Sequence, residues 1–341
     1  MGTYLITGAG GFVGYHLAEK LLQRGDKVKL LDISEIPLKD ESATLCQADV
    51  RDKKRVFDAV QGCDGVFHTA ALVPLTKSGK TFWDVNVNGT QNVLEAALEF
   101  KVKKFIHISS SSVYGIPPSP IHEDSPLKPC EIYGESKLEG ERRVLEAAKK
   151  GLSTVIIRPR TIVGTRRLGI FQILFEWIRE NRNIYLIGDG SNLFQFIHID
   201  DLIASSLAAL DQNQEGIFNI GTDRFGCLKE DMEALIRHAG SKSIVKGLPV
   251  SLTIGTLKTL DFLHLTPLAR WHYLTYHKPY YFDISKAIRQ LKWKPQYSNV
   301  EIFCEAYDWY LKNHVELKKS GKSAHQKPAA QKILRLIKWI S

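Results

Sequence analysis

The stretch TGAGGFVG (7–14) sets Gly8, Gly11 and Gly14 directly after the apolar run TYLIT (3–7), at the opening of a helical pattern. Glycine at such a junction permits a tight turn, lets backbone N–H groups approach a pyrophosphate and allows a helix to pack closely on a strand. The helix N-terminus adds a favourable dipole, and Phe12 and Val13 within the motif are candidate cofactor contacts with the glycines. A glycine triplet can equally mark a plain turn. What separates the two readings is Asp32, which closes the second apolar run 18 residues after Gly14. A carboxylate there can accept hydrogen bonds from ribose hydroxyls, so the pair of features specifies a dinucleotide site. A 2′-phosphate beside Asp32 would be repelled and no Arg or Lys follows before Lys39, which favours NAD over NADP.

The rest of the first half repeats the same alternation. Apolar runs at 27–32, 43–49, 65–71, 103–110 and 153–159 are separated by stretches with helical spacing, among them VGYHLAEKLLQRG, which closes on Gly25. Such alternation predicts an α/β fold, a doubly wound parallel sheet of Rossmann type with helices on both faces. Beyond Pro159 the pattern loosens into helices near 168–181, 201–211 and 228–239 and strands at 184–187 and 217–220. The expected organisation is a NAD-binding domain over 1–165 and a smaller mixed α/β substrate lobe over 166–314, interleaved with the first by strand returns. A polar linker follows over 315–330 and a basic amphipathic helix over 331–341. At strand ends, Asp49 and Val50 are candidates to hold the adenine, and Ala70 and Ala71 to pass the pyrophosphate.

With 341 residues and 44% hydrophobic content, the chain can bury a large core. The five cysteines are scattered without metal-ligand spacing, so neither a disulfide framework nor a metal site is expected, and a reducing cytoplasm fits. The start shows no signal peptide, and charges break the apolar 248–276 region below the length of a membrane span. Of the net +9, seven charges belong to residues 312–341, where eight basic residues face Glu316 alone. A nearly neutral body argues against nucleic-acid binding. In the tail, Ile333, Leu334, Leu336, Ile337 and Ile340 fill one helical arc and Lys332, Arg335 and Lys338 the other. That helix is too short to span a bilayer, but it suits an anionic membrane surface or docking on protein.

Tyr133 and Lys137, in IYGESK, are four residues apart and share a helix face. A phenol is a weak base at neutral pH; a neighbouring ammonium and the positive nicotinamide ring would stabilise its phenolate and make Tyr133 a general base. Upstream, ISSSSVYG (108–115) offers four serine hydroxyls at the end of a strand. Taken with HTAA (68–71), NVNGTQNVLEAA (86–97) and RPRTIVG (158–164), these motifs resemble, in order, those of the extended short-chain dehydrogenase/reductases, the NAD-dependent epimerase/dehydratase superfamily. The resemblance implies that Tyr133 is the base and Lys137 its helper and ribose ligand. It also implies that Asn86 supports the active site, that Pro159 lies at the cofactor and that the enzyme is a homodimer. Ser110, three residues before Val113, corresponds to the hydroxyl that holds the reacting oxygen.

The same resemblance narrows the reaction. Sugar-nucleotide dehydratases of the superfamily carry Asp and Glu at the two positions after that hydroxyl, where this chain has Ser111 and Ser112, so dehydration is disfavoured. What is left is oxidation of a secondary alcohol by NAD, released as ketone or returned as the epimer. The substrate is a small molecule. Nucleotide-sugar enzymes usually place an Arg where Gln195 stands here; Arg160, Arg166, Arg167 and Lys278 are possible substitutes. The expectation is a nucleotide-sugar 4-epimerase, with a 3β-hydroxysteroid or sterol dehydrogenase as the alternative. A non-catalytic NAD-binding protein is the second alternative, disfavoured because Ser110, Tyr133 and Lys137 are all present.

Overall fold

The computed structural model describes residues 1–74, 78–167, 170–263 and 270–317. The strands are β1 (Thr3–Thr7), β2 (Lys27–Asp32), β3 (Ala43–Gln47), β4 (Gly65–His68), β5 (Lys104–Ile108), β6 (Thr154–Pro159), β7 (Thr161–Val163), β8 (Ile184–Ile187), β9 (Phe196–His198), β10 (Gly216–Ile220) and β11 (Val245–Leu248). Seven of them form one sheet in the order β10-β6-β5-β4-β1-β2-β3, with every neighbouring pair parallel. This is the Rossmann-type order, reversing direction between β1 and β4. Two further parallel pairs, β7 with β9 and β8 with β11, belong to the lobe after β6. β10 returns from that lobe to the edge of the main sheet beside β6.

The strands are apolar on both faces because both faces are covered. Successive residues alternate between two cores: Leu5, Leu31, Val66, Phe105 and Ile156 face one, while Ile6, Leu30, Phe67, Ile106 and Ile157 face the other. The first core is closed by the Lys53–Val60, Thr90–Glu99 and Ile132–Lys149 helices through residues such as Val60, Val93 and Val144. The second is closed by the Phe12–Gln23 and Ile199–Asp211 helices and by aromatic side chains of the lobe. Emptying one such position, as Phe105→Ala would, costs about 3–5 kcal/mol.

The helix that begins at Phe12 ends at Gln23, and Gly25 adopts φ +80° as expected of a residue that stops a helix. The helix over 81–99 contains a π-turn at Asp84–Gly89 that no residue pattern announced. Four more helices of the second half have no counterpart in the residue pattern: Val250–Phe262, Arg270–Thr275, Ser285–Leu291 and Asn299–Leu317. The Asn299–Leu317 helix runs into the stretch read as linker; the remainder of that stretch and the tail helix at 331–341 lie outside the described residues. No helix among the described residues is long and apolar enough to cross a membrane.

Candidate active site

The carboxyl ends of β1, β2, β4, β5 and β6 open into one cleft of about 430 Å³. At its floor, the Gly8 N–H donates to the Leu31 carbonyl at 2.8 Å, and the loop turns back over itself. A side chain at Gly14 could not form: its Cβ would stand 2.3 Å from the Gly8 carbonyl oxygen. Gly8 holds φ +70°, and a Cβ there would meet the Ala70 backbone at 2.7 Å. Bare backbone is therefore what faces the cleft at the start of the Phe12–Gln23 helix. Asp32 is oriented from both sides, its two carboxylate oxygens accepting from Gly10 N at 3.0 Å and Ser34 N at 2.8 Å. A glycine cradle on a helix N-terminus, with a fixed carboxylate beyond it, fits the pyrophosphate and ribose of NAD.

All but one of the expected site residues line this cleft: Gly8, Gly11, Phe12, Val13, Gly14, Asp32, Asp49, Val50, Ala70, Ala71, Ser110, Tyr133, Lys137 and Pro159. Two carry duties the sequence did not show. Arg51 binds the Asp49 carboxylate through Nε at 3.0 Å and Nη2 at 2.7 Å and holds its carboxyl below the usual range. Val50 packs where a Cβ at Gly89 would be, which sets how closely the 81–99 helix approaches. The exception is Asn86, which is buried on the π-turn away from the cleft wall. Its amide clamps Leu72, accepting from the backbone N–H at 2.8 Å and donating to the carbonyl at 3.2 Å, and donates to Ser136 Oγ at 3.0 Å. It braces the wall through Leu72, which lines the cleft, and does not itself line it.

Tyr133 and Lys137 lie on the buried face of the Ile132–Lys149 helix. Burial pushes the Tyr133 phenol up to about 12; a hydrogen bond with Ser110 lowers it, Glu131 raises it and the Arg167 charge lowers it. Lys137 shares that buried face with Tyr133 and is also held by the backbone. Its Nζ donates to the Ile108 carbonyl at 2.7 Å, and burial brings it down to about 8 against the opposing pull of Glu141. The lysine thus ties the helix to the end of β5, and a further cation, Arg167, acts on the phenol from a segment 34 residues downstream.

The four serines separate by what they touch. Ser109 Oγ donates to Glu141 at 2.5 Å. Ser110, in extended conformation, accepts from Ser112 N at 3.2 Å and Ser112 Oγ at 3.0 Å, and holds the phenol. The Ser111 carbonyl accepts from the Tyr280 hydroxyl at 2.9 Å.

Of the four suggested substitutes for a substrate-binding arginine, Arg160 and Arg167 line the cleft. Arg166 instead stacks on Tyr15, 3.9 Å from the ring centre, and Lys278 does not line the cleft. Gln195 is wholly buried and structural, donating to the Thr222 carbonyl at 2.7 Å and accepting from Phe282 N at 2.9 Å. Trp271 and His272, on the Arg270–Thr275 helix, complete the wall and had no signal in the sequence beyond an apolar region.

The parallel sheet, the glycine cradle and the catalytic-type side chains at the strand ends define an NAD-dependent enzyme of the extended short-chain dehydrogenase/reductase type. Residues 4–221 match the NAD dependent epimerase/dehydratase family, and the chain belongs to that family. It is 37% identical over 339 residues to the uncharacterised protein y4nG of Sinorhizobium fredii, covering 99% of this chain and 86% of that one. It is 33% identical over 213 residues to the decarboxylating sterol-4-alpha-carboxylate 3-dehydrogenase of Homo sapiens, covering 61% of this chain and 57% of the relative. The crystal structure of UDP-glucuronic acid 4-epimerase from Bacillus cereus in complex with NAD superposes with a TM-score of 0.75 at 26% identity, covering 91% of this chain and 99% of that one.

Proposed function

We propose that this protein is an NAD-dependent 4-epimerase of a UDP-hexose. The observation that carries the reading is coverage: the likeness to the UDP-glucuronic acid epimerase runs through the substrate lobe to nearly the whole of both chains. By sequence, the likeness to the UDP-glucuronate 4-epimerase of Thermodesulfobacterium geofontis spans 94% of this chain and 100% of that one, whereas that to the sterol dehydrogenase spans 61% and 57%. NAD, when bound, accepts hydride from the alcohol carbon and can return it. In our reading Ser110 holds the substrate oxygen and Tyr133 takes its proton, with Arg167 lowering the cost of the phenolate. Lys137 fixes the Ile132–Lys149 helix against β5 and reaches the nicotinamide ribose, while Asp32 receives the adenosine ribose. Asn86 keeps the Leu72 backbone in place. The glycine cradle, Asp49, Val50, Ala70, Ala71 and Pro159 hold the remainder of the cofactor, so residues 1–165 act as the cofactor half and 166–314 as the substrate lobe.

The second reading, a sterol-type dehydrogenase, is favoured by the sterol-4-carboxylate relative and by Gln195 standing in a structural role. The named substrates of the two relatives share one feature. Glucuronic acid acted on at C4 and a sterol 4-carboxylate acted on at C3 both carry a carboxylate on the carbon next to the reacting one. Purified protein offered UDP-hexoses and 3β-hydroxysterols decides between them. Interconversion of hexoses on retained NAD supports the epimerase; accumulation of NADH with a sterol and no hexose turnover refutes it.

We further infer a homodimer through the 81–99 and Ile132–Lys149 helices, which expose Trp83, Ile132 and Leu145. We also infer residence at the cytoplasmic membrane face through the basic tail. The Val250–Phe262 helix buries no residue and exposes Leu252 and Phe262, which supplies a second apolar surface. Anionic vesicles should sediment the full chain but not one ending at Val315; equal binding by both would refute the role of the tail.

A further inference from the structure

Arg160 is 1% exposed and lines the cleft, yet its two terminal nitrogens make no hydrogen bond among the described residues. Only Nε is engaged, donating to the Gln195 carbonyl at 3.1 Å. Aromatic rings surround the guanidinium, with ring centres at 4.1 Å for Tyr280, 4.9 Å for Phe194 and 5.4 Å for Phe282. Rings can stabilise a cation through its π face, but they do not accept from the donors at its edge. Burial lowers the group, opposed by the phenols of Tyr280 and Tyr276, and no carboxylate among the described residues forms an ion pair with it. A buried guanidinium with idle edge donors is costly unless an acceptor arrives.

The position identifies that acceptor. Arg160 directly follows Pro159 at the end of β6, and Arg167, which faces the same cleft, acts on the Tyr133 phenol. Tyr276 feels both arginines, and Tyr280, whose ring centre lies 4.1 Å from the Arg160 guanidinium, donates its hydroxyl to the Ser111 carbonyl at 2.9 Å, which sets Arg160 one side chain away from the backbone that follows Ser110. The diphosphate of a UDP-hexose leaves from C1, across the ring from C4, and would not reach a group placed there. We propose that the reacting alcohol bears a carboxylate on the adjacent carbon, and that Arg160, with Arg167 alongside, is the specificity-determining residue that receives it. The planar edge of a guanidinium matches a carboxylate through two parallel hydrogen bonds. The proposal rests on the reading of this cleft as the site of alcohol oxidation, and it holds for either scaffold named above.

The test uses the full-length protein with NAD and two matched pairs: UDP-glucuronate against UDP-glucose, and a 3β-hydroxysterol 4α-carboxylate against the same sterol without the carboxylate. Epimer formation is read by NMR and net oxidation by NADH absorbance. Within whichever pair reacts, the carboxylated member should be preferred in kcat/KM by roughly tenfold to a hundredfold, the worth of a hydrogen bond to a charged group. Arg160→Met should collapse that ratio toward one, with melting temperature and NAD retention as controls, and Arg160→Lys should keep part of it. Should the Met variant not fold, the wild-type ratio and the Lys variant decide. Equal turnover within the reacting pair, no turnover of either carboxylated compound, or an unchanged ratio in a folded Arg160→Met overturns the proposal. If UDP-glucose reacts as well as UDP-glucuronate, this proposal falls while the epimerase reading stands. If only the sterol carboxylate reacts, the epimerase reading falls and this one stands.

Discussion

Arg158 and Arg160 lie on either side of Pro159, both almost wholly buried, and the protein treats them in opposite ways. Arg158 is saturated: Glu141 accepts from Nε at 2.9 Å and from Nη2 at 2.6 Å, and Nη1 donates to the Tyr114 hydroxyl at 2.7 Å and the Glu123 carbonyl at 3.1 Å. Burial opposes its charge, but the Glu141 hydrogen bonds and charge outweigh that and raise it above the ordinary range. Tyr114 passes the network on to Asn219 at 2.8 Å, so β6, β10 and the Ile132–Lys149 helix are joined by one set of polar contacts. Arg160 has rings instead of an acid. A completed network fixes the architecture behind the sheet end, whereas an incomplete one in the cleft leaves donors for a ligand.

If that division is right, damage on the cleft side should cost turnover and damage on the network side should cost stability. The largest effect expected is from Tyr133→Phe, which should lower turnover roughly a hundredfold to ten-thousandfold. NAD retention and the denaturation midpoint should stay close to wild type; retained turnover would remove Tyr133 as the base. Next comes Arg158→Met, which strands Glu141 as a buried unpaired charge and should cost about 3–5 kcal/mol in chemical denaturation. A loss below about 1 kcal/mol would mean the network is not a stability element. Arg160→Met, the same substitution two residues away, should change stability between nothing and a gain of about 1–2 kcal/mol, because it removes an uncompensated buried charge. A loss as large as that at Arg158 would erase the contrast.

The smallest effect concerns Glu131, beside Tyr133. Its Oε1 accepts no hydrogen bond among the described residues, and burial pushes its carboxyl up to about 7, opposed by Arg270. A carboxyl raised in the folded state stabilises the protein below its unfolded pKa, and that contribution is lost as pH rises through the folded value. Denaturation midpoints measured at about pH 5 and about pH 8 should therefore fall more in the wild type than in Glu131→Gln. Asp231, raised to about 6 by burial, leaves a residual fall in both. Parallel curves would show that Glu131 titrates normally.

The sheet and the cofactor cleft were legible because their signals are contiguous. TGAGGFVG, the Asp32 that ends β2 and the alternation of apolar runs each act within a few residues of themselves. The lobe after Pro159 was read less well. Its helices over 250–262 and 270–275 sit in a uniformly apolar stretch without clear periodicity, and Trp271 and His272 reach the cleft only through the fold. Asn86 was recognisable as a support, but its partner Leu72 was not, since the π-turn that aims it has no sequence mark. Lys137 was placed beside the phenol because helical spacing puts the two on one face. Spacing does not show that the Ile108 carbonyl also lies within reach of the ammonium.

By itself, the order of residues determined the parallel sheet, the position of the glycine cradle and the preference for NAD, because each follows from local backbone freedom, hydrophobic period or the charge of one side chain. Only the tertiary structure decided which charges are neutralised. Ser109 and Ser110 are neighbours, yet one serves Glu141 and the other Tyr133, since successive residues at a strand end point to opposite sides. Arg158 meets an acid 17 residues back along the chain and Arg160 meets none. Pairing of buried charge depends on which distant segments the fold brings together, and no pattern within RPRTIVG encodes it.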